Sequence, residues 1–282
     1  MNQQSSLFSH HSFLTMYNKI AHYYDLTHAD LTEDVDYILK LVASAGSAQV
    51  ASAGSAQTVS ILELGCGSGR LLLPLARAGY HVTGIDNATV MLARAQKRLT
   101  AEPEAVQQRV TLLEADMTQF NITANRFDWA ILPYNTFMHL TPKQMSMALK
   151  KIAGSLGENG RLLIDLINPT AIASTTNDHL LTLENSFIDP ENGHIVVQQS
   201  SSHLDENAQT LHITWLYDAT PPTGGAIHRT IAQADYHYLY PHQLELLLHE
   251  AGFRLLAITG SYDNAPYTEE SDRLLILAQC QP

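Results

Sequence analysis

Three carboxylates stand where their spacing suits the recognition of one polar ligand: Glu63 in ILELGCGSGR, Asp86 in GID and Asp116 in LLEADM. Around the first of them the chain is stripped of side chains, with Gly65, Gly67 and Gly69 at alternate positions. Glycines let a ligand approach the backbone, and a glycine loop between a strand and a helix belongs to the nucleotide class. A dinucleotide loop calls for G-x-G-x-x-G, yet the place of the last glycine is taken by Arg70. Glu63 also sits badly beside a pyrophosphate, because two anions a few ångströms apart repel; a ligand with an amine suits it better. Asp86 falls where an acid takes two ribose hydroxyls. Asp116 falls where a carboxylate accepts from an adenine amino group while the backbone of Met117 reaches a ring nitrogen.

The elements that must hold these residues alternate in period from residue 59 onward, the signature of a parallel α/β sheet. Strands are expected at 59–64, 81–85, 110–115, 127–132 and 161–167, so that all three acids lie at or near successive strand ends, where ligands of open α/β sheets bind. Helices are expected at 70–78, from about 88, and after Thr141-Pro142-Lys143-Gln144, which offers an N-cap, a proline at the first helical position and a capping-box glutamine. Met145, Leu149, Ile152 and Leu156 form the buried stripe of that last helix. Between about 180 and 240 the period changes to two, with Leu211, Ile213, Trp215 and Tyr217 alternating against His212, Thr214 and Leu216, which predicts an antiparallel insertion. Upstream, ASAGSAQV (43–50) is repeated as ASAGSAQT (51–58) and is expected to be a copied surface loop after a helix capped by Thr32. Four regions follow: 1–58 as a helical lid with this loop, 59–178 as the ligand-binding core, 179–240 as the insertion, and 241–282 as a return to the core.

Composition narrows the partner. With 45% hydrophobic and 16% charged residues, the 282-residue chain is an ordinary globular one. A net charge of −12 disfavours nucleic acid as a partner, since phosphate binding relies on Lys and Arg. No apolar run reaches a membrane span and the N-terminal stretch is not a secretory signal, so no membrane and a cytoplasmic location are expected. Two cysteines support neither a disulfide framework nor zinc, and the fourteen histidines fall in no metal-ligand spacing, so no metal is expected.

The motifs ELGCGSG (63–69), GID (84–86), EADM (114–117), FDWAILPYNTFMHL (127–140), GRLLIDLINP (160–169) and LYPHQLELLLHEAGF resemble those of class I S-adenosylmethionine-dependent methyltransferases over nearly the whole chain. More narrowly, the chain is similar to bacterial small-molecule methyltransferases with a β-rich insertion after strand five, amino-sugar N-methyltransferases among them. The resemblance implies a Rossmann-like, seven-stranded, mostly parallel sheet with helices on both faces and a last strand running antiparallel, the insertion serving as substrate lid or homodimer face. It implies S-adenosyl-L-methionine as cofactor and S-adenosyl-L-homocysteine as product. The glycine loop would then take the methionine portion and ribose, with Glu63 ordering the ammonium end. Cofactor-binding positions carried over are Tyr17, Glu63, Gly65, Cys66, Gly67, Gly69 and Arg70, then Asp86, Asn87, Met91, Asp116, Met117 and Leu132.

Methyl transfer from a sulfonium is an in-line displacement of a good leaving group, so alignment and desolvation supply most of the acceleration and a general base is optional. A small-molecule acceptor methylated at N or O is the leading reading. In the similar amino-sugar enzymes an N-terminal tyrosine and a histidine after strand four border the transfer site, which implies Tyr24 and His139 here as catalytic residues. Tyr23, Asn135, Asp165 and Asn168 are expected to meet the acceptor, the last two from the end of strand five. Other readings stay open: methylation of RNA or protein, an NAD-dependent oxidoreductase, which Arg70 opposes, and a cofactor-binding protein without transferase activity.

Overall fold

The computed structural model describes residues 5–28, 30–53, 58–122, 127–175 and 179–281. The chain opens with α1 (Ser5–His28) and α2 (Glu33–Ala53). Then β1 (Ser60–Leu64), α3 (Leu72–Arg77), β2 (His81–Asp86), α4 (Thr89–Thr100), α5 (Glu104–Gln107), β3 (Val110–Glu114) and β4 (Phe127–Leu132) follow in alternation. After a 3₁₀ turn at Thr136–His139 come α6 (Pro142–Ser155), β5 (Leu156–Ile167) and α7 (Pro169–Ala173). The insertion holds β6 (Thr182–Ile188), β7 (Ile195–Asp205), β8 (Thr210–Thr220) and β9 (His228–His237), before α8 (Pro241–Glu250), β10 (Phe253–Thr259) and β11 (Arg273–Cys280).

Seven strands form one sheet in the order β10-β11-β5-β4-β1-β2-β3. All run parallel except β11, which is antiparallel to both β5 and β10. Central strands buried on both faces need apolar side chains on both, and β1 and β4 have them: Ile61, Leu62, Leu64 and residues 130 to 132 have no exposed surface. One face is covered by α6 and α8 through Met145, Leu149, Leu244 and Leu248, the other by α2 and α3 through Val35, Ile38, Leu72 and Leu75. The strand order reverses beside β1, with β2 on one side and β4 on the other. Ligands of open α/β sheets bind outside the strand C-termini at such a switch point.

The insertion is a separate four-stranded antiparallel sheet, β6-β7-β8-β9. Its inner face carries Val196, Tyr217, Ala232 and Ala234 against Met16 and Ile20 of α1, while Ala21 on α1 packs with Ala88 and Met91 at the start of α4. The first helix is therefore wedged between the insertion and the core. Polar ties hold it there: His22 Nε2 lies 2.9 Å from Asp189 Oδ2, and the buried Asp25 carboxylate receives Ser68 Oγ–H at 2.5 Å and ion-pairs with Arg94 and Arg98.

Two local expectations change. Helix α2 runs on through the first copy of the repeat instead of ending near residue 42, because Ala, Ser and Gln tolerate a helix once Val35, Ile38 and Val42 have anchored it. Residues 54–57 of the second copy lie outside the described residues. Leu156 ends the stripe of α6 by becoming the first residue of β5, paired with Phe127. The capping box at Thr141 and Gln144 forms in full.

Candidate active site

The glycine loop leaves β1 in left-handed backbone: φ is +71° at Gly65, +52° at Gly67 and +83° at Gly69. At Gly65 space is as decisive as conformation, since a Cβ there would lie 2.4 Å from Thr136 Cγ2. Loop N–H groups are already used. Those of Gly65 and Cys66 donate to Ile85 O, that of Gly67 to Asp86 Oδ2 at 2.8 Å, and that of Gly69 to Cys66 O. This is a loop of close approach and not a nest of free donors, which separates it from the pyrophosphate cradle of a dinucleotide fold.

The loop forms one side of a cleft across the ends of β1 to β4, where ligands of open α/β sheets bind. Of the residues singled out from sequence, Tyr17, Tyr24, Glu63, Gly65, Cys66, Gly67, Arg70, Asp86, Asn87, Met91, Met117 and His139 line it. At its floor Glu63 is 1% exposed, and its Oε2 has no hydrogen-bond partner among the described residues. Burial pushes this carboxyl up to about 8, against the lowering pull of the Arg70 guanidinium. Arg70 itself is held away by a bidentate pair with Asp34, at 2.7 and 2.5 Å. A buried, unsatisfied carboxylate beside a bare backbone is a fitting seat for an amino-acid ammonium. Asp86 accepts the Gly67 and Ala88 N–H groups, one on each oxygen, and each oxygen keeps acceptor capacity towards the cleft; burial raises this carboxyl too. These features fit S-adenosylmethionine, with Glu63 toward its ammonium and Asp86 toward its ribose.

Linkage makes Glu63 testable. Its folded pKa lies above the unfolded value, so in the ligand-free protein its stabilising contribution is complete below about 4.5 and is lost as pH rises through about 8. A cationic ligand favours the ionised form, so binding near pH 7 expels a proton. Calorimetry with S-adenosylhomocysteine in buffers of different ionisation enthalpy is expected to show release of about 0.5–1 proton, and Glu63→Gln to abolish it. Equal release from both proteins would remove Glu63 from the ammonium site.

His139 lines the cleft within an aromatic group. Tyr17 Oη lies 3.2 Å from His139 Nε2, Tyr236 packs edge-on to the imidazole at 4.8 Å, and Tyr24 meets Tyr17 edge-on at 5.4 Å. Sequence reading pairs His139 with Tyr24, whereas the geometry pairs it with Tyr17; Tyr24 is one wall back, stacked on His28 at 4.0 Å. Desolvation lowers His139 to about 3, so it is a neutral imidazole throughout the physiological range. Burial raises both phenols well above their usual value and keeps them protonated donors.

Several expected site residues lie elsewhere. Asp165 does not face an acceptor pocket: it is 1% exposed and takes the Arg273 guanidinium, the Tyr262 hydroxyl at 3.0 Å and the Tyr134 N–H at 3.1 Å. Asn168, with no exposed surface, caps α7 through Thr170 N–H and donates to the carbonyls of Thr268, Glu269 and Ser271. Asn135 accepts from Ile167 N–H and Arg273. Asp165 and Asn135, joined through Arg273, hold the left-handed Tyr134 and Asn135 and so support the loop carrying Tyr134, Thr136 and His139 at the cleft, while Asn168 fastens the 268–271 segment. Tyr23 stacks on Tyr217 at 4.7 Å, Leu132 is core, and Gly69 shapes the turn beneath the cleft. Asp116 reaches the right strand end, where its Oδ1 accepts from the N–H and hydroxyl of Thr118. Asp165→Asn is expected to lower unfolding free energy by about 3–5 kcal/mol, because it leaves Arg273 buried without a counter-charge. Chemical denaturation measures it, and a loss under 1 kcal/mol would contradict the assignment.

Sequence reading does not single out Tyr134 and Thr136, which line the cleft. Tyr134 packs between two guanidinium groups, the carbon atoms of Arg70 and Arg273 each 5.3 Å from its ring centre. Their signal was their place immediately after β4, a strand that ends at the switch point.

Residues 61–160 match the methyltransferase domain family. The chain is 28% identical over 224 residues to the cypemycin N-terminal methyltransferase of a Streptomyces species, covering 79% of this chain and 83% of that one. Its fold is similar to that of a S-adenosylmethionine-dependent methyltransferase from Clostridium acetobutylicum, with a TM-score of 0.72, 17% identity, and 94% and 99% of the two chains covered. It is also similar to the sugar N-methyltransferase KedS8 from a Streptoalloteichus species, with a TM-score of 0.68, 20% identity, and 92% and 93% covered. Residues 61–160 are thus a methyltransferase domain, and the sheet order and cleft around them are those of the Rossmann-like methyltransferase fold. No described helix is long and apolar enough to cross a membrane.

Proposed function

We propose that this protein methylates a nitrogen or oxygen of a small, cytoplasmic acceptor, with His139 and Tyr17 at the transfer site and Tyr24 in its wall. The observation that carries the reading is the enclosure of the His139 end of the cleft by α1 and the insertion, through Tyr17 and Tyr236. A folded macromolecule does not enter an aromatic-walled pocket of this kind, and the net charge of −12 offers no general attraction to RNA. The similarity to the cypemycin N-terminal methyltransferase is consistent with an amine target.

When bound, S-adenosylmethionine supplies a methyl group on a sulfonium, an electrophile with a good leaving group. The chain contributes position and dryness. Glu63 would hold the ammonium of the bound molecule and Asp86 its ribose hydroxyls, and the glycine loop would allow its close approach. In its Nδ1–H tautomer the neutral His139 accepts at Nε2 from Tyr17 or from an acceptor N–H or O–H, which orients the lone pair of the nucleophile. The rings of Tyr17, Tyr24 and Tyr236 exclude water from the transfer end.

The test is transfer of labelled methyl to a panel of small amines, sugars and phenols, set beside transfer RNA and a basic protein. Label on a small molecule is the expected result. Label confined to RNA or protein, or none at all while S-adenosylhomocysteine still binds, would overturn the proposal.

A further inference from the structure

Behind the cofactor cleft lies a second cavity of about 150 Å³, between α1 and the inner face of the insertion. Tyr17 and Tyr24 line both, so the two share a wall, and Tyr236 lines the second while touching His139 in the first. Its lining is strongly aromatic: Tyr17, Tyr24, Trp215, Tyr217 and Tyr236, with His28. Among these rings it holds one ionisable carboxylate, Glu184.

Glu184 comes from an irregularity in β6. Leu183 pairs with Gln199 and Asn185 with Gln198, so two residues advance on β6 for one on β7, and Glu184 is the extra one. A bulge of this kind redirects a side chain out of the regular alternation, and such bulges cluster beside functional sites. Here it brings the carboxylate to Gln198, whose buried side chain donates Nε2–H to Glu184 Oε2 at 2.5 Å. Gln198 orients one oxygen without neutralising the charge, and no Lys or Arg among the described residues lines the cavity. The charge reaches the rings, since Glu184 contributes to raising the phenols of Tyr217 and Tyr236. Glu184 lines the cavity and is also exposed to solvent.

We infer that this cavity is the acceptor subsite and that it selects a small molecule bearing a basic nitrogen, with Glu184 as the specificity-determining residue. Ring faces attract a cation by their quadrupoles, contributing about 0.5–2 kcal/mol each according to desolvation, and a carboxylate beside them adds direct charge pairing. A neutral ligand of the same shape receives only the apolar part of this attraction. The inference rests on the proposed small-molecule function and narrows it to amines.

The two tryptophans provide a reporter and its control. Trp215 lines the cavity, whereas Trp129 is buried in the core on β4. The intact protein, with and without saturating S-adenosylhomocysteine, is titrated with cyclohexylamine at pH 7 and separately with cyclohexanol, while the two indole N–H resonances are followed. Cyclohexylamine is expected to shift the Trp215 signal saturably and leave that of Trp129 in place, with cyclohexanol at least about tenfold weaker. Glu184→Gln is expected to remove that difference, leaving cyclohexanol binding and S-adenosylhomocysteine affinity within about twofold of the parent protein. Equal binding of amine and alcohol, or amine binding untouched by Glu184→Gln, would overturn the inference. Failure of S-adenosylhomocysteine to bind while the amine preference persists would count against the cofactor reading alone.

Discussion

Asp86→Ala is expected to weaken S-adenosylhomocysteine binding by about 100-fold or more. The carboxylate has two functions at once. It fastens Gly67 N–H and Ala88 N–H, one on each oxygen at 2.8 Å, and so sets the shape of the loop and the start of α4. Its remaining acceptor capacity is what the ribose hydroxyls would use. Hydrogen bonds to a charged group contribute about 1.5–3 kcal/mol each, so losing two removes at least about 3 kcal/mol, or two orders of magnitude in affinity. Asp86→Asn keeps one acceptor oxygen and should lose only about tenfold. Direct titration of the three proteins measures the series, and a loss below about threefold in the alanine variant would show that the ligand does not lean on this carboxylate.

His139→Ala is expected to lower turnover by about 100-fold, the scale of misplacing a reacting atom by about 1 Å, with cofactor affinity changed less than about threefold. The reason is its partners: His139 meets Tyr17 and Tyr236, whereas the ammonium and ribose are assigned to Glu63 and Asp86. Equal losses in turnover and affinity would take away its role in the transfer. The sign of its ionisation sharpens the test. Its folded pKa, about 3, lies below the unfolded value of 6.5, so its contribution to stability is complete above 6.5 and is lost as pH falls toward 3. The rate should therefore show no inflection from His139 between pH 6 and 8, and acid should destabilise the parent protein more than the alanine variant.

Much of the core was legible because its signals are local. Gly65, Gly67 and Gly69 follow a strand of five residues, and Glu63 and Asp86 stand at strand ends, so topology and cleft share one pattern of spacing. The roles of Asn135, Asp165 and Asn168 were not legible. A polar residue at a strand end can face a ligand or tie a loop, and the choice depends on partners a hundred residues away: Arg273 and Tyr262 for Asp165, Tyr267 for Asn168. The pairing of Tyr17 with His139 spans 122 residues and depends on where the insertion presses α1. Alternation in β8 identified the insertion, but the bulge at Glu184 comes from register between strands, which no single strand encodes.

The central claim is that the cleft is built for S-adenosylmethionine and its product. Parallel calorimetric titration of the intact protein with S-adenosylhomocysteine and with NADH tests it most directly. One molecule of S-adenosylhomocysteine bound per chain, with NADH silent, is the predicted result. NADH bound in its place would contradict the assignment of Glu63 to an ammonium and of the glycine loop to a ligand without a pyrophosphate.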